Sequence, residues 1–336
     1  MKNNNIKNIR WGIIGLGNIA NKFAADLATV ENSELVAVAS INQQNADEFA
    51  ATFKSKKAYN SYEELAKDTE IDAVYIATPH SFHKEHSILC LQNKKAVLCE
   101  KPFAMNLQEV TEMIAVAKEN NVLLMEALWT FFLPHYNYVL EIVKNKRFGK
   151  LKSLDADFGF YNSYNTDRRL FKKELGGGSL LDIGIYPIFA ALSTLGKPDK
   201  IDANATFFKN GVDSSCNMVF NYKKAKATLK STLLKEIPIH AIFTFDKAIV
   251  KINTQFHEPA KVSIIENDKE ETIDFKYTTI GYSFEIEHFN QLLRDHKKES
   301  TIMTFEFSKD LIATLDQVRG IIGLEYSNLS KPLKLV

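Results

Sequence analysis

Two clusters in the chain hold side chains that can move or hold a proton. The first is Cys99-Glu100-Lys101-Pro102. A lysine there can hydrogen-bond a substrate hydroxyl, and its positive charge favours the ionised form of a neighbouring acid. The bland alternative is a surface lysine after a strand. The second cluster is Gly176-Gly177-Gly178-Ser179-Leu180-Leu181-Asp182-Ile183-Gly184-Ile185-Tyr186-Pro187. Asp182 and Tyr186 are four apart, so on a helix they share a face. Pro187 is tolerated in a first turn but breaks a helix interior. The helix therefore starts near Tyr186 or kinks there. The triple glycine predicts close backbone approach or a mobile segment. A third stretch, residues 9–23, carries Gly15-x-Gly17-x-x-Ala20 between an apolar run and a helical pattern. That spacing matches the dinucleotide fingerprint with Ala in the third place. Gly15 permits a tight turn, and Gly17 lets a pyrophosphate approach the backbone. The helix N-terminus at Asn18 and Ile19 offers free N–H groups.

The elements that must position these groups alternate. Residues 11–14 read as a strand, and Ile19, Phe23 and Leu27 recur at helical spacing after the glycines. Further strands are predicted at 35–39, 73–77, 96–99 and 122–125. Helices are predicted at 43–53, around Leu65, at 82–92 and at 107–118. Ser61 with Glu64 three residues on reads as a capping box. This alternation predicts a parallel sheet with right-handed crossovers. Ligands of such sheets bind beyond the carboxyl ends of the strands. Residues 40–43, 78–83 and 100–102 follow strands and are of interest for that reason.

The pattern changes near Trp129. A helix at 136–144 is followed by strands at 154–160, 201–208, 212–222, 225–233, 241–245, 248–252, 262–265 and 272–275. Asn210-Gly211 and Asp246-Lys247 read as hairpin turns. Helices at 284–294 and 309–322 close the chain. The expectation is an α/β N-terminal Rossmann domain over residues 1–127. An α+β domain with a large, mostly antiparallel open sheet follows over 128–336. A sheet with helices on one face leaves the other to be covered, so a homodimer or higher homo-oligomer through that sheet is expected.

Composition narrows the classes. The 336 residues suffice for about two domains. A formal net charge of +1 implies no nucleic-acid or other polyanion partner. Cys90, Cys99 and Cys216 lack metal spacing, so no metal is expected, and reduced thiols point to a cytoplasmic protein. Residues 1–8 are polar and lack the apolar stretch of a signal peptide. No apolar run approaches the roughly 18 residues of a membrane helix, so no membrane partner is expected.

Taken together, several motifs resemble the Gfo/Idh/MocA oxidoreductases. They are Gly15-x-Gly17-x-x-Ala20, Thr78-Pro79-His80-x-x-His83, Glu100-Lys101-Pro102, Gly177-Gly178 and Asp182-x-x-x-Tyr186. The likeness spans nearly the whole chain. It is nearest to the dimeric dihydrodiol dehydrogenase and D-xylose dehydrogenase branch, through residues 125–130 and 176–186. Many relatives have His where this chain has Tyr186.

The resemblance implies an NAD(P)-dependent dehydrogenase or reductase acting on a sugar, polyol or vicinal diol. It implies that Gly15, Gly17, Asn18, Ile19, Ser40, Ala77, Thr78, Pro79, His83, Glu100 and Lys101 line the cofactor. Tyr186 would exchange a proton with the reacting oxygen, Lys101 would stabilise its phenolate, and Asp182 would orient Lys101 or a substrate hydroxyl. His80, Trp129, Phe160 and Arg169 would line the substrate. Arg168, Tyr161 and Tyr164 are open between substrate and solvent.

Cofactor choice is read from Ser40-Ile41-Asn42-Gln43. No acid is present to repel a 2′-phosphate, yet the branch's arginine has become Ile41; the balance leans to NADP over NAD. Phe131 stands where relatives often have arginine. A dinucleotide-holding sensor without turnover and an NAD-assisted glycoside hydrolase stand as alternatives.

Overall fold

The computed structural model describes residues 7–326. The chain forms two compact units: residues up to Phe132 with Tyr277–Lys309, and Leu133–Lys276 with Asp310 onward.

The first unit holds six strands: β1 (Ile9–Ile14), β2 (Ser33–Ala39), β3 (Lys57–Tyr59), β4 (Ala73–Ile76), β5 (Ala96–Glu100) and β6 (Leu124–Ala127). They lie in the order β3-β2-β1-β4-β5-β6 and pair in parallel. Helices α1 (Asn18–Leu27), α2 (Gln43–Phe53), α3 (Tyr62–Lys67), α4 (His83–Gln92) and α5 (Leu107–Asn120) connect them. β4, β5 and β6 are buried at every position, as strands covered on both faces of a parallel sheet are. β3 escapes the sequence pattern because its three residues are too few to show a period. Strand order reverses between β1 and β4, which opens a crevice at their carboxyl ends. Beneath it Phe23 stacks on Tyr75 with ring centroids 3.7 Å apart. Each such ring, fully buried, contributes about 1.5–3 kcal/mol.

The second unit opens with α6 (Pro134–Asn145), whose first residue is the proline that needs no N–H partner there. Its strands are β7 (Leu151–Gly159), β8 (Lys200–Phe207), β9 (Asp213–Tyr222), β10 (Ala225–Thr232), β11 (Ala241–Phe245), β12 (Ile249–Ile252), β13 (Val262–Glu266) and β14 (Lys269–Ile273). They form one sheet in the order β14-β13-β12-β11-β7-β10-β9-β8, antiparallel except for the β7–β10 pair. Helix α7 (Ile185–Leu195) follows a π-turn at Leu180–Gly184. Pro187 is the third residue of α7, but Ser179 and the π-turn already wind helically into it, so the winding starts well before Tyr186 and Pro187 follows directly on the π-turn.

The segment 173–195 is long and apolar enough to cross a bilayer, with mean hydropathy 1.5 over its most apolar window, contrary to the sequence reading. Yet 89% of its most apolar window is buried inside the fold, so that apolar content belongs to the core. Among the described residues Cys90, Cys99 and Cys216 are buried and unpaired, and no cluster of metal-ligand side chains occurs.

Late in the chain, α8 (Tyr282–Arg294) returns to the first unit. Asp26 of α1 accepts the N–H groups of Ile280, Gly281 and Ser283 at 3.0, 2.8 and 3.1 Å. These are the orphan donors at a helix start, satisfied here from another helix. The Trp11 indole donates to Asn290 of α8 at 3.1 Å. α9 (Phe305–Ile322) comes next, opened by the Thr304 hydroxyl, which accepts the N–H of Phe307 at 3.1 Å.

Candidate active site

The glycine turn occupies the crevice between β1 and β4. Gly15 has φ +87°, and its N–H donates to the Ala39 carbonyl at the end of β2. A Cβ added there would lie 2.7 Å from the backbone of Ala77 and Thr78, beyond β4. Only glycine fits that wedge. Gly17 is the opposite case: a Cβ would meet nothing within 4 Å, so the space above it is open. No side chain caps α1, whereas α2, α3 and α5 are capped by Asn42, Ser61 and Asn106. The N–H groups of Asn18 and Ile19 thus sit at an uncapped, positive helix end. Open backbone and uncapped donors together fit a dinucleotide pyrophosphate.

The turn after β2 carries no charge. The Ser40 hydroxyl accepts the N–H of Asn42 at 3.3 Å, and Ile41 stands 53% exposed.

After β4, the Ala77 N–H donates to Ile14 and the Thr78 hydroxyl meets His86 Nδ1 at 3.0 Å. Pro79 leads into a short 3₁₀ turn, His80–Phe82. The His80 and His83 rings lie edge-on, 5.7 Å apart, and both side chains are buried. His83 bridges two loops: Nδ1 lies 2.8 Å from the Pro102 carbonyl and Nε2 2.8 Å from the Thr78 carbonyl.

At the end of β5, Glu100 accepts from the Tyr75 hydroxyl and, at 3.1 Å, from the Lys101 N–H. The Lys101 side chain is half-exposed. Behind it Glu126 accepts the Phe103 N–H at 3.1 Å. Burial pushes the Glu126 carboxyl up to about 7, against hydrogen bonds from Ser308 and Phe103 that pull it down. Trp129 is 4% exposed and stacks on Tyr282 at 4.3 Å, while Phe131 packs on Phe307.

The second unit holds the other cluster. Its triple glycine is a close approach. Gly176 and Gly178 have positive φ, and a Cβ on Gly177 would lie 2.6 Å from the Leu170 carbonyl. Asp213 of β9 anchors the chain just past the glycines, accepting from the Ser179 hydroxyl and the Leu180 N–H, both at 2.7 Å. Burial pushes the Asp213 carboxyl up to about 6. The Tyr326 hydroxyl donates to the Gly177 carbonyl at 2.9 Å.

Asp182 falls within the π-turn and Tyr186 within α7. Arg169 Nη2 donates to Asp182 Oδ1 at 2.7 Å. The Tyr186 ring is 5% exposed and lies 5.5 Å from Phe158 and 4.9 Å from His257. Phe160 lies 6.4 Å from Phe158. Arg168 donates to Asn162, Tyr164 stacks on Phe208, and Tyr161 is exposed.

Three residues here had no flag in the sequence. His257 reaches Tyr186 from beyond β12, where a lone histidine next to a phenylalanine gives no spacing signal. Asp213 looks like any residue opening a strand. Glu285 of α8 is wholly buried, and neither carboxylate oxygen has a hydrogen-bond partner. Burial first, then Glu100 and Asp26, raise its pKa well above the usual carboxylate range.

Comparison with known proteins gives these features a context. Residues 9–128 match the oxidoreductase family with an NAD-binding Rossmann fold, and residues 136–238 match the GFO/IDH/MocA C-terminal domain. The chain is 38% identical over 330 residues to trans-1,2-dihydrobenzene-1,2-diol dehydrogenase of Xenopus tropicalis, covering 94% of this chain and 99% of that one. It is 34% identical over 326 residues to the NADP(+) scyllo-inositol 2-dehydrogenase of Bacillus subtilis, covering 95% and 98%. Among solved structures, a 3-ketoreductase from Actinomadura kijaniata in complex with NADP and TDP-benzene superposes with a TM-score of 0.84. That likeness is at 26% identity and covers 94% of this chain and 98% of that one. With an open, uncapped glycine turn in a six-stranded parallel sheet and family matches on both parts of the chain, this protein belongs to the Gfo/Idh/MocA family and is an NAD(P)-dependent oxidoreductase.

Proposed function

We propose that the protein is an NADP-preferring dehydrogenase or reductase acting on a vicinal diol, polyol or sugar. Tyr186 is its general acid/base and Lys101 assists it. The observation that carries this reading is the full-length likeness to diol and inositol dehydrogenases, joined to the retained Lys101, Asp182 and Tyr186. The uncharged turn Ser40-Ile41-Asn42 supports NADP, since it holds no carboxylate against a 2′-phosphate.

The nicotinamide supplies the hydride chemistry. In the oxidative direction, where a bound nicotinamide would take the carbinol hydride, the Tyr186 phenolate oxygen takes the O–H proton. Free tyrosine ionises near about 10. The Lys101 ammonium lowers the cost of that phenolate and donates to the same substrate oxygen. Arg169 holds Asp182 Oδ1, and the pair binds a second substrate hydroxyl. Tyr186 lies among aromatic rings, a surface suited to a sugar face or a ring diol. A homo-oligomer built through the eight-stranded sheet is part of this reading, since one face of such a sheet is left to be covered; sedimentation showing monomer alone would end that part.

The test is a panel of aldoses, inositols and cyclic diols with NADP and NAD. Steady reduction of added NADP is expected, and Tyr186→Phe should lower kcat by about 10²–10⁴-fold with NADP affinity unchanged. Unchanged turnover in that variant removes the assignment. Tightly co-purified NAD without net turnover would instead indicate redox-assisted glycoside hydrolysis.

A further inference from the structure

His83 is wholly buried, yet both of its ring nitrogens lie 2.8 Å from backbone carbonyl oxygens. A carbonyl oxygen can only accept. A neutral imidazole carries one N–H and one lone pair. In either neutral form one nitrogen would turn its lone pair on a carbonyl lone pair at hydrogen-bond distance. Both would then be left unpaired in a dry interior, at a cost of about 1–3 kcal/mol for each buried group. Only the imidazolium, with two N–H donors, satisfies both contacts.

Two other buried histidines show the ordinary outcome. Burial pushes His135 down to about 4, although its Nε2 lies 3.0 Å from the Phe256 carbonyl. His86, whose Nδ1 meets the Thr78 hydroxyl, is also pushed down to about 4, by burial first and then by the charge of His83. Of the titratable groups near it, the His80 ring lies 5.7 Å away and His86 follows on the same helix, while Glu100 and Lys101 precede Pro102 in the sequence of the facing loop.

We infer that His83 is held as an imidazolium, a buried cation that clips the turn after β4 to the turn after β5 through the carbonyls of Thr78 and Pro102. These turns carry Thr78-Pro79-His80 and Glu100-Lys101-Pro102. The clip makes His83 a positioning residue, and that role rests on the proposed function, which gives these turns to the dinucleotide and to Lys101. The protonation state does not rest on it. Each N–H donates from a charged ring, and such bonds are roughly twice as strong as neutral ones.

The test starts with wild-type protein labelled with ¹⁵N at histidine. At neutral pH one ring should show directly bonded protons on both nitrogens. The chain has eight histidines, and loss of that signal in His83→Gln identifies it. Neutron diffraction from deuterated wild-type crystals reads the same fact without a variant, as deuterium on both Nδ1 and Nε2. A single proton on the His83 ring in either measurement overturns the inference. For the positioning role, His83→Gln should bind NADPH at least about tenfold more weakly, the worth of one charged hydrogen bond. Unchanged NADPH affinity in that variant overturns the role. If wild-type protein binds neither dinucleotide, the functional reading fails, and the ring protons still decide the inference.

Discussion

Gly178 and Asp213 meet face to face: a Cβ added to Gly178 would fall inside the van der Waals envelope of Asp213 Oδ1. Gly178 also holds φ +125°, where side chains are strained. Asp213 cannot withdraw, because its other oxygen holds Ser179 and Leu180. Gly178→Ala should cost about 1–3 kcal/mol of backbone strain before any steric term. For a unit of this size each kcal/mol lowers Tm by about 2–4 °C. Calorimetry finding the wild-type Tm would show that the turn can relax.

Glu126 makes stability depend on pH. Its folded carboxyl ionises at about 7, against an ordinary value of 4.5. Below 4.5 it is protonated whether the chain is folded or not. As pH rises through the window to 7, the unfolded chain sheds the proton first, so the folded state loses ground. The full loss is on the order of 3 kcal/mol and is complete above 7. Glu126→Gln should flatten the denaturation midpoint across that window and stabilise the protein at alkaline pH. Parallel pH profiles for the two proteins would refute this.

Cofactor preference should respond to one exposed position. Ile41 follows Ser40, and its side chain is in solvent, so an arginine there costs the fold little. Ile41→Arg should tighten NADP binding by about two- to tenfold through a charge-assisted phosphate contact and leave NAD nearly unchanged. Fluorescence titration with both reduced cofactors checks it; equal changes for the two would point to general charge attraction.

His257 packs against both Tyr186 and Phe158, the latter at 4.2 Å between ring centroids. Removing that ring frees the phenol to tilt. His257→Ala should lower kcat by about tenfold or more through lost orientation. His257→Phe should restore most of it, since the flat ring is kept. Failure of the phenylalanine to rescue would assign the imidazole a chemical part of its own.

The parts legible in the sequence are those whose cause is local. Gly15 and Gly17 announce their turn because tightness and open approach are backbone requirements of adjacent residues. The hairpin at Asp246-Lys247 closes through the Phe245 N–H and the Ala248 carbonyl, as its residues suggest. The π-turn at Leu180–Gly184 was not readable, since apolar spacing fits α and π windings alike over five residues. Nor was the Tyr186–His257 pair, because it joins α7 to the turn beyond β12 by tertiary packing that no spacing announces. β14 begins at Lys269, three residues earlier than the apolar pattern placed it, because its exposed Lys269, Glu270 and Glu271 carry no hydrophobic signal.

The return of α8 has a consequence for synthesis. The Trp11 indole meets a partner 279 residues downstream, and the Asp26 carboxylate takes its donors from about as far along. A nascent chain emerging from the ribosome therefore carries its dinucleotide half unfinished until α8 has been made. A gene cut after Phe132 would encode a fragment whose interior indole and carboxylate have nothing to bind, and holding factors should favour the growing chain over the released one.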